Sequence, residues 1–413
     1  MKKRVVITGM GVITPVGNSI SEMWQALLDG KNGIGPITLF DASLYDTRIA
    51  GEIKNFDPST ILEKKEVKRT PRFIQYALKT AKEAIEMAQL PLDKIDLNRT
   101  AVIIGSGIGG INVIEEQQTV LLQKGPSRVS PFLIPMLIPN MAGAFVSMRY
   151  GFKGPNFCIV TACATGTHSI GEAFKILQRG DADIAIAGGT EGAITPLGLA
   201  GFCSAKSLSK RNDDPEHASR PFDKDRDGFV MADGAGVMVL ETLEHAKARG
   251  AKIIAEIAGY GASDDAYHMT APPPGGAGGA LSMLNAINDA SIKPEDINYI
   301  NAHGTSTELN DKEETAAIKS VFGQHAYKLA ISSTKSMTGH MLGGTGAVEA
   351  IVCALSCRDD VVHPTRNLEN PSPDCDLDYV PKVKRNLTVN YALSNSFGFG
   401  GHNATIIVKK YNP

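Results

Sequence analysis

Short β-branched apolar runs recur along the chain, each followed by glycines and then by a helical period: Val5–Thr8, Ala101–Ile104, Ile184–Ala187, Val237–Leu240, Ile297–Asn301, Leu329–Ser332 and Thr405–Val408. Runs of this length bounded by turn residues predict buried strands, and their alternation with helical stretches predicts an α/β protein. Phe229-Val230-Met231-Ala232-Asp233-Gly234-Ala235-Gly236 leads into one strand much as Phe397-Gly398-Phe399-Gly400-Gly401-His402-Asn403 leads into another, a hint of duplicated halves. A charged helix ending at a glycine, Lys247-Ala248-Arg249-Gly250-Ala251, sets the expected division into one half over residues 1–250 and a second over 251–413. The first half carries an insertion near 111–143, a helix and a proline-rich apolar loop. It fits a pocket wall, a subunit contact or plain core equally. Tyr267–Gly279, with three prolines and four glycines, is the longest irregular stretch of the second half, and such loops often border a site.

Composition narrows the class. A chain of 413 residues, 43% hydrophobic and 21% charged, is long enough for two lobes of a globular protein. A net charge of −2 provides no global field for nucleic acid, so no nucleic-acid partner is expected. Six cysteines without a CxxC pair argue against a disulfide framework or zinc site and suit the cytoplasm. Gly9, Gly11 and Pro15 interrupt the apolar start, which reads as a first strand rather than a secretory leader. Pro131, Pro135 and Pro139 break the most apolar stretch, 132–148, so no membrane passage is expected.

The candidate chemistry begins at Cys163. The run Phe157–Val160 reads as a buried strand that turns, at Thr161-Ala162-Cys163-Ala164-Thr165-Gly166-Thr167, into a helix whose small residues leave the sulfur uncovered. A free thiol with a pKa near 8.5 is only about 3% thiolate at neutral pH, and helix N-terminal amides with a neighbouring imidazole can lower it to roughly 3.5–7.5. Cys163 is therefore the candidate nucleophile, with a lowered thiol expected. The other cysteines read as small hydrophobes: Cys158 in the apolar strand, Cys353 and Cys357 at i, i+4 on an apolar helix, Cys203 and Cys375 near loops.

Gly105-Ser106-Gly107-Ile108-Gly109-Gly110 satisfies the dinucleotide pattern G-x-G-x-x-G. That fold also needs a second strand ending in an acidic residue about 20 positions on. Gly125-Pro126-Ser127-Arg128 is a turn instead, so the glycines are read as letting backbone approach a strand or an acyl chain. Two histidines stand in glycine- and hydroxyl-rich turns after strands, on the side where Cys163 emerges: His303 in Asn301-Ala302-His303-Gly304-Thr305-Ser306-Thr307 and His340 in Ser333-Thr334-Lys335-Ser336-Met337-Thr338-Gly339-His340. His217, His245 and His325 lie in polar, surface-like segments.

These motifs, in this order and together with Val5-Val6-Ile7-Thr8-Gly9-Met10-Gly11, Arg220-Pro221-Phe222-Asp223 and Asn395-Ser396-Phe397-Gly398-Phe399-Gly400-Gly401, resemble the β-ketoacyl-acyl-carrier-protein synthases of fatty acid synthesis, above all the type II elongating members. The likeness covers essentially the whole chain. It implies a thiolase-like α-β-α-β-α layered fold of two pseudo-duplicated halves, a homodimer, and acyl carrier protein as partner. It also implies an acyltransferase reaction. Cys163 takes an acyl group from acyl carrier protein; malonyl carrier protein loses carbon dioxide, and its carbanion attacks that thioester to give a 3-oxoacyl chain.

The same resemblance implies the remaining roles. His303 and His340 stabilise the developing oxyanion as neutral N–H donors. The backbone N–H groups of Cys163 and Phe399 serve acyl transfer, and losing one such donor typically costs about 2.7–4 kcal/mol. Lys335 matches an active-site lysine and Glu349 its carboxylate partner. Asp311 and Glu314 either cap a helix or join that network. Ile108 and Phe399 match the acyl pocket and its gate, with Phe202 nearby and Gly398 and Gly400 allowing movement; Thr305 and Thr307 match the pantetheine contacts. Lys65, Lys68, Arg69, Arg128 and Lys206 resemble a docking patch for the carrier's acidic helix. No cofactor is implied, since the phosphopantetheine arm belongs to the carrier. No metal is required, though some relatives hold a monovalent cation near positions matching Asn301, Glu349 and Asn395.

One departure stands out: His402 occupies the threonine position of the family's Gly-Phe-Gly-Gly-Thr-Asn, and a structural or tuning role at the gate is expected. Thiolases need a second cysteine near the C-terminus, which Gly398–Asn403 lacks. Initiating synthases pair cysteine with histidine and asparagine, against which His340 argues. Chain-length partner subunits have lost the nucleophile that Cys163 supplies.

Overall fold

The computed structural model describes residues 2–412. Ten strands share one hydrogen-bonded sheet: β1 (Val5–Ile13), β2 (Thr100–Gly105), β3 (Asn156–Phe157), β4 (Ile184–Glu191), β5 (Gly234–Thr242), β6 (Ala255–Asp264), β7 (Tyr299–Asn301), β8 (Ala330–Ser332), β9 (Tyr391–Gly398) and β10 (His402–Lys410). Their order across it is β8-β7-β9-β10-β6-β1-β5-β4-β2-β3. The midline is slight: Val5 pairs Ile257, Val6 pairs Glu256 and Ile7 pairs Ala255, all antiparallel. Outward from it both sides repeat one scheme. β1–β5 and β5–β4 are antiparallel, then β4–β2 and β2–β3 parallel. Likewise β6–β10 and β10–β9 are antiparallel, then β9–β7 and β7–β8 parallel.

Side-chain alternation along the strands sorts the helices into layers. Those helices are α1 (Arg72–Ala88), α2 (Ile111–Lys124), α3 (Met141–Tyr150), α4 (Thr165–Arg179), α5 (Ala277–Ala290), α6 (Glu308–Phe322) and α7 (Thr345–Asp359). Ala101 and Ile103 of β2 and Ala185 and Ala187 of β4 face a core shared with α4 and α7. Val102, Ile104, Ile184 and Ile186 face α1 and α3. On the other side of the midline, Ala392, Ile406 and Val408 face the α4–α7 core, and Ile300, Leu393 and Ile407 face α5 and α6. The result is the α-β-α-β-α layering of the thiolase-like fold. Helix α7, buried without a break from Thr345 to Cys357, is apolar all round because it has sheet on both sides.

The repeat extends to packing. A Cβ on Gly9 or Gly11 of β1 would overlap the carbonyls of Ala84 and Thr80 on α1; one on Gly259 or Gly261 of β6 would overlap those of Ala286 and Ser282 on α5. In both halves the outer helix rides directly on strand backbone at a pair of glycines.

Two readings of the sequence need correction, and one left open is narrowed. Phe157–Val160 is not a buried strand: only Asn156–Phe157 pairs, at the sheet edge, and Phe157 and Val160 are 43% and 51% exposed. Cys158 is half-buried beyond the strand, and Cys203 lies in the helix Pro196–Ser204. The insertion is not plain core, since α2 buries Val113 alone. In addition, Phe397 and Gly398 end a full strand, β9, which turns tightly into β10. Its buried polar run Ser394-Asn395-Ser396 hides it from a hydrophobic pattern.

Gly11→Ala should destabilise the protein by about 1–3 kcal/mol through overpacking, read as a lowered Tm. Gly35→Ala, where a Cβ meets nothing within 4 Å, is the control. Equal melting of the two variants would contradict the helix-on-glycine packing.

Candidate active site

Chain emerging from β3 turns sharply before α4. Ala162 takes a left-handed φ of +50° and opens a single 3-10 turn, Ala162–Ala164, which presents Cys163 to a cavity of about 570 Å³. The other half repeats the device: Leu342, at φ +46°, opens Leu342–Gly344 ahead of α7, just after His340. Gly166 lets the two helix starts touch, since a Cβ there would lie 2.8 Å from the Ala347 nitrogen. Cys163 and His340 thus come from equivalent turns of the two halves, and both line the cavity together with His303.

The thiol differs from the expected one. Burial pushes the Cys163 thiol up to about 11, although the Lys335 charge and the N–H groups of Phe399 and Cys163 itself pull it down. Glu191 adds to the rise. Small residues around the sulfur leave it reachable from the cavity, yet they also pack protein backbone around it, and desolvation outweighs every stabilising partner.

The two imidazoles stand edge to face, centroids 5.5 Å apart at 85°. Burial and the nearby Lys335 charge hold both well below the ordinary histidine range, so both are neutral. His303 Nδ1 and His340 Nε2 are buried without a partner among the described residues. His340 Nδ1 lies 3.0 Å from Thr345 Oγ1. With that hydroxyl donating, Nε2 carries the ring proton and is free to donate.

Lys335 Nζ donates to Glu349 Oε1 at 2.6 Å, both side chains sealed from solvent. Burial pushes Glu349 up to about 7 against the pull of Lys335. Glu314 accepts the N–H groups of His303 and Gly304 at 2.8 Å each, and burial pushes it to about 7 as well. Asp311 accepts the N–H groups of Phe222 at 2.8 Å and Ser306 at 3.2 Å, with Arg226 Nε 3.5 Å away. Both carboxylates therefore pin the loop around His303, and neither pairs with Lys335.

The remaining candidates divide. Ile108, Phe202, Thr305, Thr307, Gly398 and Phe399 line the cavity; Gly400 lies behind Phe399 in the turn. The Phe202 and Phe229 rings meet edge to face at 5.4 Å, and Phe229 continues to His340 at 5.3 Å. The Thr305 and Thr307 hydroxyls are 2.9 Å apart. Lys206 is exposed at the cavity rim. Lys65, Lys68, Arg69 and Arg128 are exposed but line no part of it; Lys65 pairs Glu63 at 2.9 Å, and the Arg69 guanidinium sits 4.3 Å over the Phe132 ring. His402 pairs with Asp264, Nδ1 to Oδ2 at 3.6 Å, outside the cavity lining.

Asn301 Oδ1, Ser394 Oγ and Glu349 Oε2 are buried oxygens without partners among the described residues, and Asn301 and Ser394 face each other across β7 and β9. The Asn395 side chain is already engaged, accepting from Thr405 Oγ1 at 2.9 Å and donating to Glu314 at 3.2 Å. Asn301 Oδ1 and Ser394 Oγ, neighbours in register, are buried oxygens of the kind that suits a hard monovalent cation.

Sequence reasoning missed Glu191, fully buried at the end of β4. It accepts from Ser106 Oγ at 2.8 Å and from the N–H groups of Gly107, Ile108 and Gly343 at 2.8, 3.2 and 3.0 Å. The glycine-rich loop that imitates a phosphate cradle thus wraps a carboxylate of its own chain. An acidic residue closing the apolar run Ile184–Thr190 was the available signal.

Two family patterns match this chain: beta-ketoacyl synthase, N-terminal domain, over residues 2–246, and beta-ketoacyl synthase, C-terminal domain, over residues 254–369. It is 57% identical over 410 residues to a Synechocystis protein named 3-oxoacyl-[acyl-carrier-protein] synthase 2, covering 99% of each chain. A Coxiella burnetii protein of the same name is 54% identical over 409 residues, again with 99% of each covered. Among solved structures, a ketosynthase bound to the hexaketide and in complex with its type II PKS acyl-carrier protein superimposes with a TM-score of 0.93 at 35% identity, over all of both chains. With the layered fold, the paired turns and matches along nearly the full length, this chain belongs to the beta-ketoacyl synthase family.

Proposed function

We propose that the chain extends acyl chains in fatty acid synthesis by condensing acyl-[acyl-carrier-protein] with malonyl-[acyl-carrier-protein] through an acyl-enzyme at Cys163. The observation that carries this reading is a single sulfur with an N–H donor on one side, Phe399, and two neutral imidazoles in the same cavity. In the first step the Cys163 sulfur bonds to the acyl carbon and the carrier's sulfur leaves, taking the Cys163 proton. The N–H groups of Cys163 and Phe399 hold the transient oxyanion. A thiol that is protonated at rest suits this exchange, because its proton travels to the leaving thiolate.

In the second step the bond between the malonyl methylene and its carboxylate breaks, carbon dioxide departs and the electron pair becomes an enolate. His303 and His340 donate to the enolate oxygen. Neutral rings are the right donors: a resting imidazolium pair beside Lys335 would repel itself in a dry site. The carbanion then bonds to the acyl carbon, the Cys163 thiolate leaves, and it regains a proton from solvent. Lys335, fixed by Glu349, supplies positive potential to the sulfur and both rings. Glu314 and Asp311 position the His303 loop.

Ile108 and Phe202 would bound the acyl pocket with Phe399 as its gate, and Thr305 and Thr307 would receive the pantetheine arm. That arm belongs to the carrier, so the reaction needs no cofactor of the protein's own. Asn301, Ser394 and Glu349 would hold a monovalent cation that balances charge behind the site. The carrier's acidic helix would dock on Lys206 and the basic group of Lys65, Lys68, Arg69 and Arg128. A second copy would cover the exposed edge at Phe157 and Val160 together with Ile134 and Met148, which are 59% and 65% exposed. Six unpaired cysteines suit a reducing cytoplasm, and among the described residues no helix is long and apolar enough to cross a membrane.

Cys163→Ala should abolish acylation and condensation while leaving the fold intact; mass spectrometry that finds the acyl group on Cys203 in the wild type would refute the assignment. Because both histidines lose their protons well below the ordinary value near 6.5, the ring NMR signals of His303 and His340 should stay flat from about pH 8 to 6, the window in which Glu314 and Glu349 titrate. A midpoint near pH 6.5 in either ring would show that it titrates normally and that the neutral-pair reading is wrong.

A further inference from the structure

His402 is a motif residue that the proposed chemistry does not use, and its surroundings give it work. It is the first residue of β10, in register with Gly398 on one neighbouring strand and with Asp264 on the other. The turn between Gly398 and His402 carries Phe399. Gly400 and Gly401 take φ values of +90° and +83°, a course open to glycine. The His402 ring lies against this turn: a Cβ on Gly400 would be 3.1 Å from its Nε2 and 3.2 Å from its Cδ2. On its other edge Nδ1 faces Asp264 Oδ2 at 3.6 Å, with both side chains about half exposed. The turn is held elsewhere by backbone, Gly400 N–H to the Met269 carbonyl at 2.8 Å and Asp265 N–H to the Gly401 carbonyl at 2.9 Å. A threonine at 402 would be too short to lie under Gly400 and meet Asp264 at once.

From this geometry we infer that His402, held by Asp264, is a positioning residue that braces the Phe399 turn in its closed position and so sets how readily a long acyl chain displaces Phe399. The inference rests on the proposed gate role of Phe399. When the gate moves, the turn must leave the ring that fills the space under Gly400, and the Asp264 contact keeps that ring from following. A half-exposed contact at 3.6 Å is weak, so the brace adjusts a rate and does not lock the site.

The test compares two routes to Cys163 in the full-length protein: acyl transfer from decanoyl-[acyl-carrier-protein], which needs Phe399 to move, and alkylation by iodoacetamide, which is small enough not to. His402→Thr and Asp264→Asn should each speed decanoyl loading by about two- to fivefold. The double variant should be no faster than either single one, because both changes remove one interaction. Alkylation and Tm should stay at wild-type values, and His402→Gln, which keeps a donor for Asp264, should load at the wild-type rate. Unchanged loading in His402→Thr, effects that multiply in the double variant, or alkylation that changes in step with loading would each overturn the brace. Phe399→Ala separates the two readings. If it speeds loading while His402→Thr does not, only the brace is wrong; if it leaves loading unchanged, the gate is wrong and the brace falls with it.

Discussion

The close approach of α4 and α7 governs the rest of the molecule. Gly166 meets the backbone of Ala347, and a Cβ on Gly346 would overlap the Thr167 hydroxyl, which itself bonds Ser396 Oγ at 2.7 Å. No larger residue fits either place. Because the helix starts touch, the turns that precede them face each other, and Cys163 and His340 meet across the seam although 177 positions separate them in the chain. Glu191 fastens the same seam, taking N–H groups from Gly107 and Ile108 in one half and Gly343 in the other. A site assembled this way exists only when both halves of the sheet and the helices between them are packed.

That seam is dry, and dryness explains the electrostatics. Removing water favours the neutral form of every titratable group, so the imidazoles are held low while the thiol and the carboxylates of Glu191, Glu314 and Glu349 are held high. The Lys335–Glu349 contact lies in the same buried region, and a buried ion pair is weak evidence for stability. The Lys335 charge pulls the Cys163 thiol down, the direction that the proposed reaction needs when the proton leaves. Glu191 works against this, and with burial it leaves Cys163 a thiol at rest.

Much of this was legible in residues. The alternation of β-branched runs with helical stretches marked most strands, and glycine- and hydroxyl-rich turns singled out His303 and His340 from nine histidines. What hid from the pattern did so for physical reasons. Strand β9 is buried but polar, because Ser394, Asn395 and Ser396 find partners or border the candidate cation oxygens. The run ending at Val160 is apolar yet exposed, since apolar residues mark an edge as readily as a core. A lowered thiol is the expectation because a helix start is visible in sequence, whereas the burial that raises it is not, and Gly398, which packs on the Cys163 backbone, lies more than 230 positions away. Glu191 was overlooked because its four partners are three backbone amides and one serine, which carry no side-chain signature.

The central claim is that the Cys163 sulfur is reachable but desolvated, and a thiol by default. The most direct measurement is the rate of Cys163 alkylation by iodoacetamide against pH, followed by mass on that residue in the free protein. A thiol pushed up to about 11 predicts a rate that climbs about tenfold per pH unit from 7 through 9 without levelling. A plateau at or below pH 8 would mean a resting thiolate and would contradict the account.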